Sequence, residues 1–338
     1  MNETILVTGG AGFIGSNFIP FFLEKNPKVS VINIDNLTYA GNEQNLEEVK
    51  NNERYFFVKA DICDASLMAS IFGEYEISSI IHFAAESHVD NSIASPDAFI
   101  QTNIYGTFTL LEVSKSHWFD APNVPKKEYE NARFHHISTD EVYGSLGAEG
   151  HFSETTPYAP NSPYSASKAA SDFLVRSYHH TYGLNVVTSN CSNNYGPKQH
   201  DEKLIPTIIR KALSGENIPI YGDGKNIRDW LYVLDHCKAI DLVFKNGKQG
   251  ETYAIGGENE HDNLFIAEKI CSVLDEIRPK GKGSYKSQIV FVEDRLGHDR
   301  RYAIDATKIK ENLGWKPEAN FDSGLRKTID WYITKEKK

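Results

Sequence analysis

Asp140 and Glu141 stand side by side in the stretch Ser138-Thr139-Asp140-Glu141-Val142-Tyr143-Gly144, and Tyr164 and Lys168 follow in the segment PNSPYSASK. Two adjacent carboxylates suit general acid and general base work. Close like charges push their pKa values apart, so one group stays protonated while the other ionises. Tyr164 and Lys168 are spaced to share one face of a helix. An ammonium near a phenol favours the phenolate and lowers the tyrosine's pKa toward a useful range. Alone, the acid pair reads as a solvated turn and the Tyr-x-x-x-Lys spacing as chance. Their placement decides otherwise.

The apolar run RFHHI before Ser138 reads as a strand, so the acid pair sits at a strand's C-terminal end, where open α/β sheets bind ligands. Pro163 suits the first turn of a helix running to about residue 182. The chain starts with another strand, TILVT, followed by Gly9, Gly12 and Gly15 in G-x-x-G-x-x-G spacing. Glycine lets backbone amides approach a pyrophosphate, and a helix starting near Phe13 and Ile14 aims its N-terminal dipole at that charge. VSVINID ends at Asp35, just before Asn36 and Thr38. A carboxylate there accepts hydrogen bonds from a ribose and repels a 2′-phosphate, which favours NAD over NADP; its other reading is a cap on the following turn. YFFVKADICD ends in Asp61 and Ile62, and SSIIHF leads to the small pair Ala84-Ala85, which leaves room for a cofactor. Helix patterns over 43–51 and 96–117 alternate with these strands. The alternation predicts an α/β fold with a Rossmann-type, doubly wound parallel sheet. Residues 118–131 are polar, hold two prolines and read as a surface insertion. The Gly-, Pro- and Ser-rich stretch after Gly144 reads as an active-site loop.

After NVVTSN the alternation weakens, which predicts an NAD-binding domain over 1–190 and a smaller C-terminal substrate-binding lobe over 191–338, parts of which return to the first domain. Asp262 is a helix N-cap candidate. RPKGKGSYKSQ reads as a flexible polar loop. Arg295, His298, Arg300 and Arg301 cluster in an otherwise acidic protein, which suits a phosphorylated ligand. The tail reads as two helices around a turn at 314–317.

A formal charge of −10 over 338 residues argues against nucleic acid, whose binding needs clustered Lys and Arg. Cys63, Cys191, Cys237 and Cys271 lie far apart with no CxxC spacing, so neither a metal site nor a disulfide framework is expected. A strand pattern from Thr4 leaves no room for a signal peptide, and no apolar run is long enough to cross a membrane. A reduced, cytoplasmic protein is the expectation.

TGGAGFIG, HFAA and Tyr164-x-x-x-Lys168 together resemble the extended short-chain dehydrogenase/reductase family. LTYAGN, FAAESHVD, HHISTDEVYG, NSPYSASKA, CSNNYGP, EKLIP, YGDGKNIRDW and DRLGHDRRYAID resemble its sugar-nucleotide 4,6-dehydratases along almost the whole chain. Epimerases of the superfamily usually carry small residues in place of Asp140-Glu141. Two departures stand out: Asn91 where an Arg is common, and Lys198-Gln199-His200-Asp201 in place of a more aromatic, proline-containing stretch.

The resemblance implies a bound NAD and a nucleotide-linked glucose, dTDP-glucose first and UDP-glucose as the alternative, since the two bases differ by a methyl group. It implies oxidation at carbon 4 by Tyr164 and Lys168 with Thr139 on the 4-oxygen, then water loss with Glu141 as base and Asp140 as acid. The product would be a 4-keto-6-deoxy sugar, a precursor of deoxysugars such as rhamnose. The implied cofactor contacts extend to Ser87, Thr102 and Asn193. The implied substrate contacts are Ser87, Asn193, Lys203, Leu204, Pro219, Tyr221, Arg228, Asn263, Arg295 and His298, with Arg228 and Arg295 on the diphosphate. Helices 96–117 and 163–182 would build the four-helix bundle of a homodimer. A nucleotide-sugar 4-epimerase on the same scaffold is a further alternative, and a non-catalytic NAD-binding sensor the remote one.

Overall fold

Seven short, largely apolar runs form one parallel sheet in the computed structural model, which describes residues 3–335. They are β1 (Glu3–Thr8), β2 (Val29–Asp35), β3 (Tyr55–Lys59), β4 (Ser79–His82), β5 (Arg133–Thr139), β6 (Val186–Cys191) and β7 (Thr252–Ile255). Their order is β7-β6-β5-β4-β1-β2-β3. β6 is buried along its whole length, as expected of a parallel strand covered on both faces. The strand order reverses between β1 and β4, which opens a crevice at their C-terminal ends.

Helices α1 (Phe13–Lys25) and α6 (Val233–Asn246) cover one face, packing Phe18, Phe22 and Ile240 on Val7, Val31 and Ile81. Helices α2 (Ala65–Tyr75), α3 (Thr107–Trp118) and α4 (Pro163–Tyr182) cover the other, packing Phe72, Leu110 and Val175 on Leu6, Ile80 and Phe134. α4 begins where the sequence says it should. Ser162 and Ser165 exchange side-chain-to-backbone bonds in a capping box, Pro163 occupies the first turn, and Gly183 closes the helix at φ +78°.

α5 (Leu204–Ser214), α7 (Asn263–Ile277) and α9 (Phe321–Lys335) surround a second core built on Ile209, Trp230, Ile270 and Leu325. It contains the parallel pair Ile218–Tyr221 and Ile289–Val292, and a three-stranded sheet centred on Ile227–Tyr232. α8 (Thr307–Leu313) and α9 form the two-helix tail. The Asp262 Oδ1 accepts from Phe265 N–H at 2.7 Å and so caps α7. α6 and β7 follow the start of this lobe in sequence yet lie in the main sheet layer.

Four segments depart from the sequence expectation. The stretch 96–117 is not one regular helix: a wide π segment, Ile100–Gly106, precedes α3. There the Asn103 carbonyl accepts from the hydroxyls of Thr107 and Ser171, both at 2.6 Å, so side chains satisfy what a regular helical ladder would. The helix expected over 43–51 contracts to one 3₁₀ turn, Glu43–Leu46. Trp118 is no insertion residue: it is fully buried and its Nε1 donates to the Ile77 carbonyl at 2.7 Å. In the loop read as flexible, Tyr285 is buried in the second core.

Candidate active site

The crevice at the sheet edge is a single cleft lined from both sides. Gly9, Gly12, Phe13, Ile14 and Gly15 form its floor at the start of α1. A Cβ at Gly15 would lie 2.5 Å from the Gly9 carbonyl oxygen, and Gly9 takes φ +71° with Ala84 backbone 2.6 Å from its would-be Cβ. No side chain fits either place, and the close backbone approach leaves the turn open to a pyrophosphate. Asp35, Asn36, Thr38, Asp61 and Ile62 line the cleft beyond β2 and β3, and Ala84, Ala85, Ser87 and Thr102 line it beyond β4. Asp35 performs the second of its two expected tasks: its oxygens accept from Ala11 N–H at 2.9 Å and Leu37 N–H at 2.8 Å. A carboxylate's lone pairs are not exhausted by two such bonds, so a ribose contact is compatible with that role.

Thr139, Asp140, Glu141, Tyr164 and Lys168 meet at the C-terminal end of β5 and line the same cleft, with Asn193 and Lys203 opposite. β5 ends at Thr139, whose Oγ1 accepts from Glu141 N–H at 3.3 Å and donates to Asp140 Oδ1 at 3.4 Å. The Phe99 ring stands edge-on to Tyr164, with centroids 6.2 Å apart.

The two carboxylates differ in environment. Burial pushes the Asp140 carboxyl well above its ordinary value, and the charges of Glu141 and Asp229 push it further. Burial also raises Glu141, but Lys203, Arg295 and Arg228 all pull it back. Asp140 is therefore the better proton holder and Glu141 the better base. Burial brings the Lys168 ammonium down to about 8. The lowering of Tyr164 expected from Lys168 is outweighed: burial first, then Glu141, hold the phenol well above its usual value, while the Thr139 hydroxyl pulls the other way. Lys168 Nζ instead donates to the Ile137 carbonyl at 2.8 Å.

Leu204, Pro219, Tyr221, Arg228, Asn263, Arg295 and His298 lie outside this cleft, on the second lobe. Arg228 and Arg295 are close enough to act on Glu141. Arg228 donates to the Asp299 carbonyl at 2.9 Å and stacks on Tyr302 at 4.2 Å. The Tyr221 and His298 rings meet edge-on at 6.4 Å. Asn263 begins α7, Leu204 begins α5, and Pro219 lies in Ile218–Tyr221. The basic cluster expected over 295–301 divides. Arg300 pairs with Asp223 at 3.0 Å and Arg301 with Glu260 at 2.7 Å, so neither faces a ligand with Arg295.

The cleft also takes Glu86, Ser138, Cys191, Asn194, Gln199, His200 and Glu202. All but Gln199 and His200 fall within the motifs quoted above, where nothing singled them out as site residues, and Gln199 and His200 stood out only as a departure from the family pattern. Among the described residues no group of His, Cys, Asp and Glu could hold a metal ion, and no helix is long and apolar enough to cross a membrane.

A glycine turn at the sheet's switch point, with Tyr164, Lys168 and Thr139 facing it, defines an extended short-chain dehydrogenase/reductase. Residues 6–328 match the GDP-mannose 4,6 dehydratase family, and the chain belongs to that family. It is 54% identical over 334 residues to a dTDP-glucose 4,6-dehydratase of Xanthomonas campestris pv. campestris (strain B100), covering 98% of this chain and 94% of the relative. It is 55% identical to dTDP-glucose 4,6-dehydratase 1 of Escherichia coli (strain K12), covering 98% and 93%. Among solved structures it resembles the Bacillus anthracis str. Ames dTDP-glucose 4,6-dehydratase in complex with NAD, at 45% identity and TM-score 0.87, covering 99% of this chain and 98% of that one. A UDP-glucose 4-epimerase of Thermotoga maritima shares the fold at 29% identity and TM-score 0.85, covering 99% and 100%.

Proposed function

We propose that this chain is an NAD-dependent dTDP-glucose 4,6-dehydratase, a hydro-lyase that converts dTDP-glucose to dTDP-4-dehydro-6-deoxy-glucose. One observation carries the reading. Beside the Tyr164–Lys168 pair stand two carboxylates in unlike environments, Asp140 pushed toward its protonated form by burial and Glu141 faced by three cations. The activity for which the relatives are named supports it.

The turn from Gly9 to Gly15 would hold the pyrophosphate of NAD, Asp35 a ribose hydroxyl, Asp61 and Ile62 the adenine end, and Lys168 the nicotinamide ribose. NAD supplies a hydride acceptor at carbon 4 and hydride return at carbon 6, and its positive ring favours the Tyr164 phenolate. Tyr164 takes the proton from the 4-hydroxyl, and Thr139 donates a hydrogen bond to that oxygen. The carbon-4 ketone acidifies the proton on carbon 5, and Glu141 removes it. Asp140 protonates the departing 6-hydroxyl, and water leaves. Glu141 then returns its proton to carbon 5. Lys203, Arg228 and Arg295 face the nucleotide diphosphate from the second lobe, with Asn193, Leu204, Pro219, Tyr221, Asn263 and His298 around them and Ser87 near the sugar.

The protein acts as a homodimer through a four-helix bundle of α3 and α4 with their copies. Phe173 on α4 is 58% exposed and Tyr105 before α3 is 46% exposed, with Ile93, Ile100 and Phe108 nearby in sequence. Several large exposed apolar groups on one helical layer mark an interaction surface. Sedimentation of Phe173→Asp, expected to run at half the wild-type mass, tests this.

The function is tested by mass spectrometry of dTDP-glucose and of UDP-glucose after incubation with the purified protein and no added NAD. Loss of one water from dTDP-glucose, with no net NADH, is the expected result. Faster turnover of UDP-glucose would reassign the nucleotide. An unchanged mass with a galactose isomer would make the protein an epimerase.

A further inference from the structure

Asp172 is a buried carboxylate that takes no part in the proton transfers above, yet it ties together the backbone that carries them. It lies one helical turn beyond Lys168 on α4, on the same face, and is 5% exposed. Its Oδ2 accepts from Ser138 Oγ at 2.9 Å, from Tyr158 OH at 2.8 Å and from Asn190 Nδ2 at 3.3 Å. Its Oδ1 lies 3.1 Å from His136 Nε2. The Asn190 Nδ2 also donates to the Thr139 carbonyl at 3.0 Å, and Lys168 Nζ to the Ile137 carbonyl at 2.8 Å. Ile137, Ser138 and Thr139, the last three residues of β5, are thus tied to α4 or to a partner of Asp172. Tyr158 anchors the active-site loop to the same oxygen.

We propose that Asp172 is a positioning residue for the Tyr164–Lys168 pair: it clamps the end of β5 to α4 and keeps the Lys168 ammonium charged in a site that excludes water. The proposal rests on the reading of Tyr164 and Lys168 as the proton-transfer pair. Three donors converge on its Oδ2 and hold the carboxylate in place, one turn from a buried ammonium whose charged form it favours.

The groups around Lys168 agree with this division. Burial is the main influence lowering Lys168, and Asp172 is the foremost group opposing it, ahead of Cys191 on β6. His136 on β5 is held down to about 4 by burial, and His82 on β4 well below its usual value. Both imidazoles are neutral near pH 7 and leave Asp172 to the ammonium. Cys191 is pushed up to about 12 by burial and stays a thiol. Burial keeps Tyr143 and Tyr158 as phenols on the loop side. Asp140, Glu141 and Tyr164 complete the surroundings at the cleft.

The test is the pH dependence of kcat for Asp172→Asn holoenzyme, with melting temperature and NAD content measured alongside. Wild type should lose activity as pH rises through the Lys168 value near 8. In Asp172→Asn that limb should move down by about one pH unit, so that the loss at pH 8 relative to pH 6 grows from about twofold to about tenfold while KM holds. A folded Asp172→Asn whose limb does not move overturns the proposal, whatever its overall loss of rate. Should that variant not fold, Ser138→Ala keeps the carboxylate and removes one donor to it. It should lower kcat about fivefold at constant KM, and wild-type kcat in Ser138→Ala would overturn the clamp. A wild type that does not dehydrate dTDP-glucose counts against the functional reading instead, and the same limb is then sought in the pH dependence of NAD affinity.

Discussion

Lys198 Nζ donates to the Ser16 carbonyl at 3.0 Å and meets Glu48 at 2.6 Å, bridging the second lobe to the first turn of α1. Asn17 Nδ2 makes a second tie, to the Pro197 carbonyl at 2.9 Å, and the His200 ring stands edge-on to Tyr39 at 5.6 Å. Residues 197–203 therefore form a strap along one wall of the cleft, tied to α1 and to the loop after β2. Lys198→Ala removes a charged donor, an interaction of about 1.5 kcal/mol. NAD release should become about tenfold faster, read as the decay of bound NADH fluorescence on dilution. A wild-type release rate would remove the strap from cofactor retention.

The acid pair should separate in isotope experiments. Glu141→Gln should stop exchange of the carbon-5 proton with deuterated solvent while initial oxidation persists. Asp140→Asn should keep exchange and slow water loss by about 10² or more, the usual scale for general acid catalysis. Equal exchange in both variants would contradict the division of roles. Because burial and Glu141 hold the Asp140 proton, kcat should decline as rising pH strips it.

Gly15→Ala should abolish NAD retention. Its Cβ would meet the Gly9 carbonyl oxygen at 2.5 Å and Gly10 Cα at 2.6 Å, both of them backbone. The turn must shift to admit it, and the pyrophosphate seat shifts too. The measurement is the absorbance ratio of the purified variant, expected to show cofactor-free protein.

Acid should destabilise the fold from about pH 6.5 downward. Burial holds His136 down to about 4 and His236 to about 3, with His82 and His135 also well below the ordinary value. Below pH 6.5 the unfolded chain binds protons that the folded chain refuses, so stability falls with falling pH, by about 1.4 kcal/mol per unit for each such histidine. Urea midpoints at pH 7 and pH 5.5 check the sign. An unchanged midpoint would mean these imidazoles are already charged in the fold.

The fold was readable because its signals are local. β1, β2 and β6 are apolar runs since both faces are covered, and the Gly9–Gly15 turn, the Ser162–Pro163 start of α4 and the Asp262 cap are each written within four to seven residues. What escaped depends on distant partners. The π segment needs the Ser171 hydroxyl on Asn103, and Trp118 is buried only because Ile77 offers it a carbonyl. Arg300 and Arg301 resemble Arg295 in sequence and differ only in having Asp223 and Glu260 beside them. Lys198 was visible as a departure, but nothing local announces an acceptor at Ser16. Asp172 looks like any polar residue in SASKAASDF until four elements are seen to converge on it.

β7 is the outermost strand beside β6, yet it is drawn from residues made after most of the second lobe's first strands and α5. During synthesis the ribosome releases β6 long before its neighbour, so the nascent sheet carries an open hydrogen-bonding edge for some sixty residues of elongation. A fragment ending near residue 190 would keep every cofactor glycine and still present that edge permanently. It should self-associate, and attempts to express the dinucleotide half by itself should yield aggregate unless residues 252–255 are grafted back.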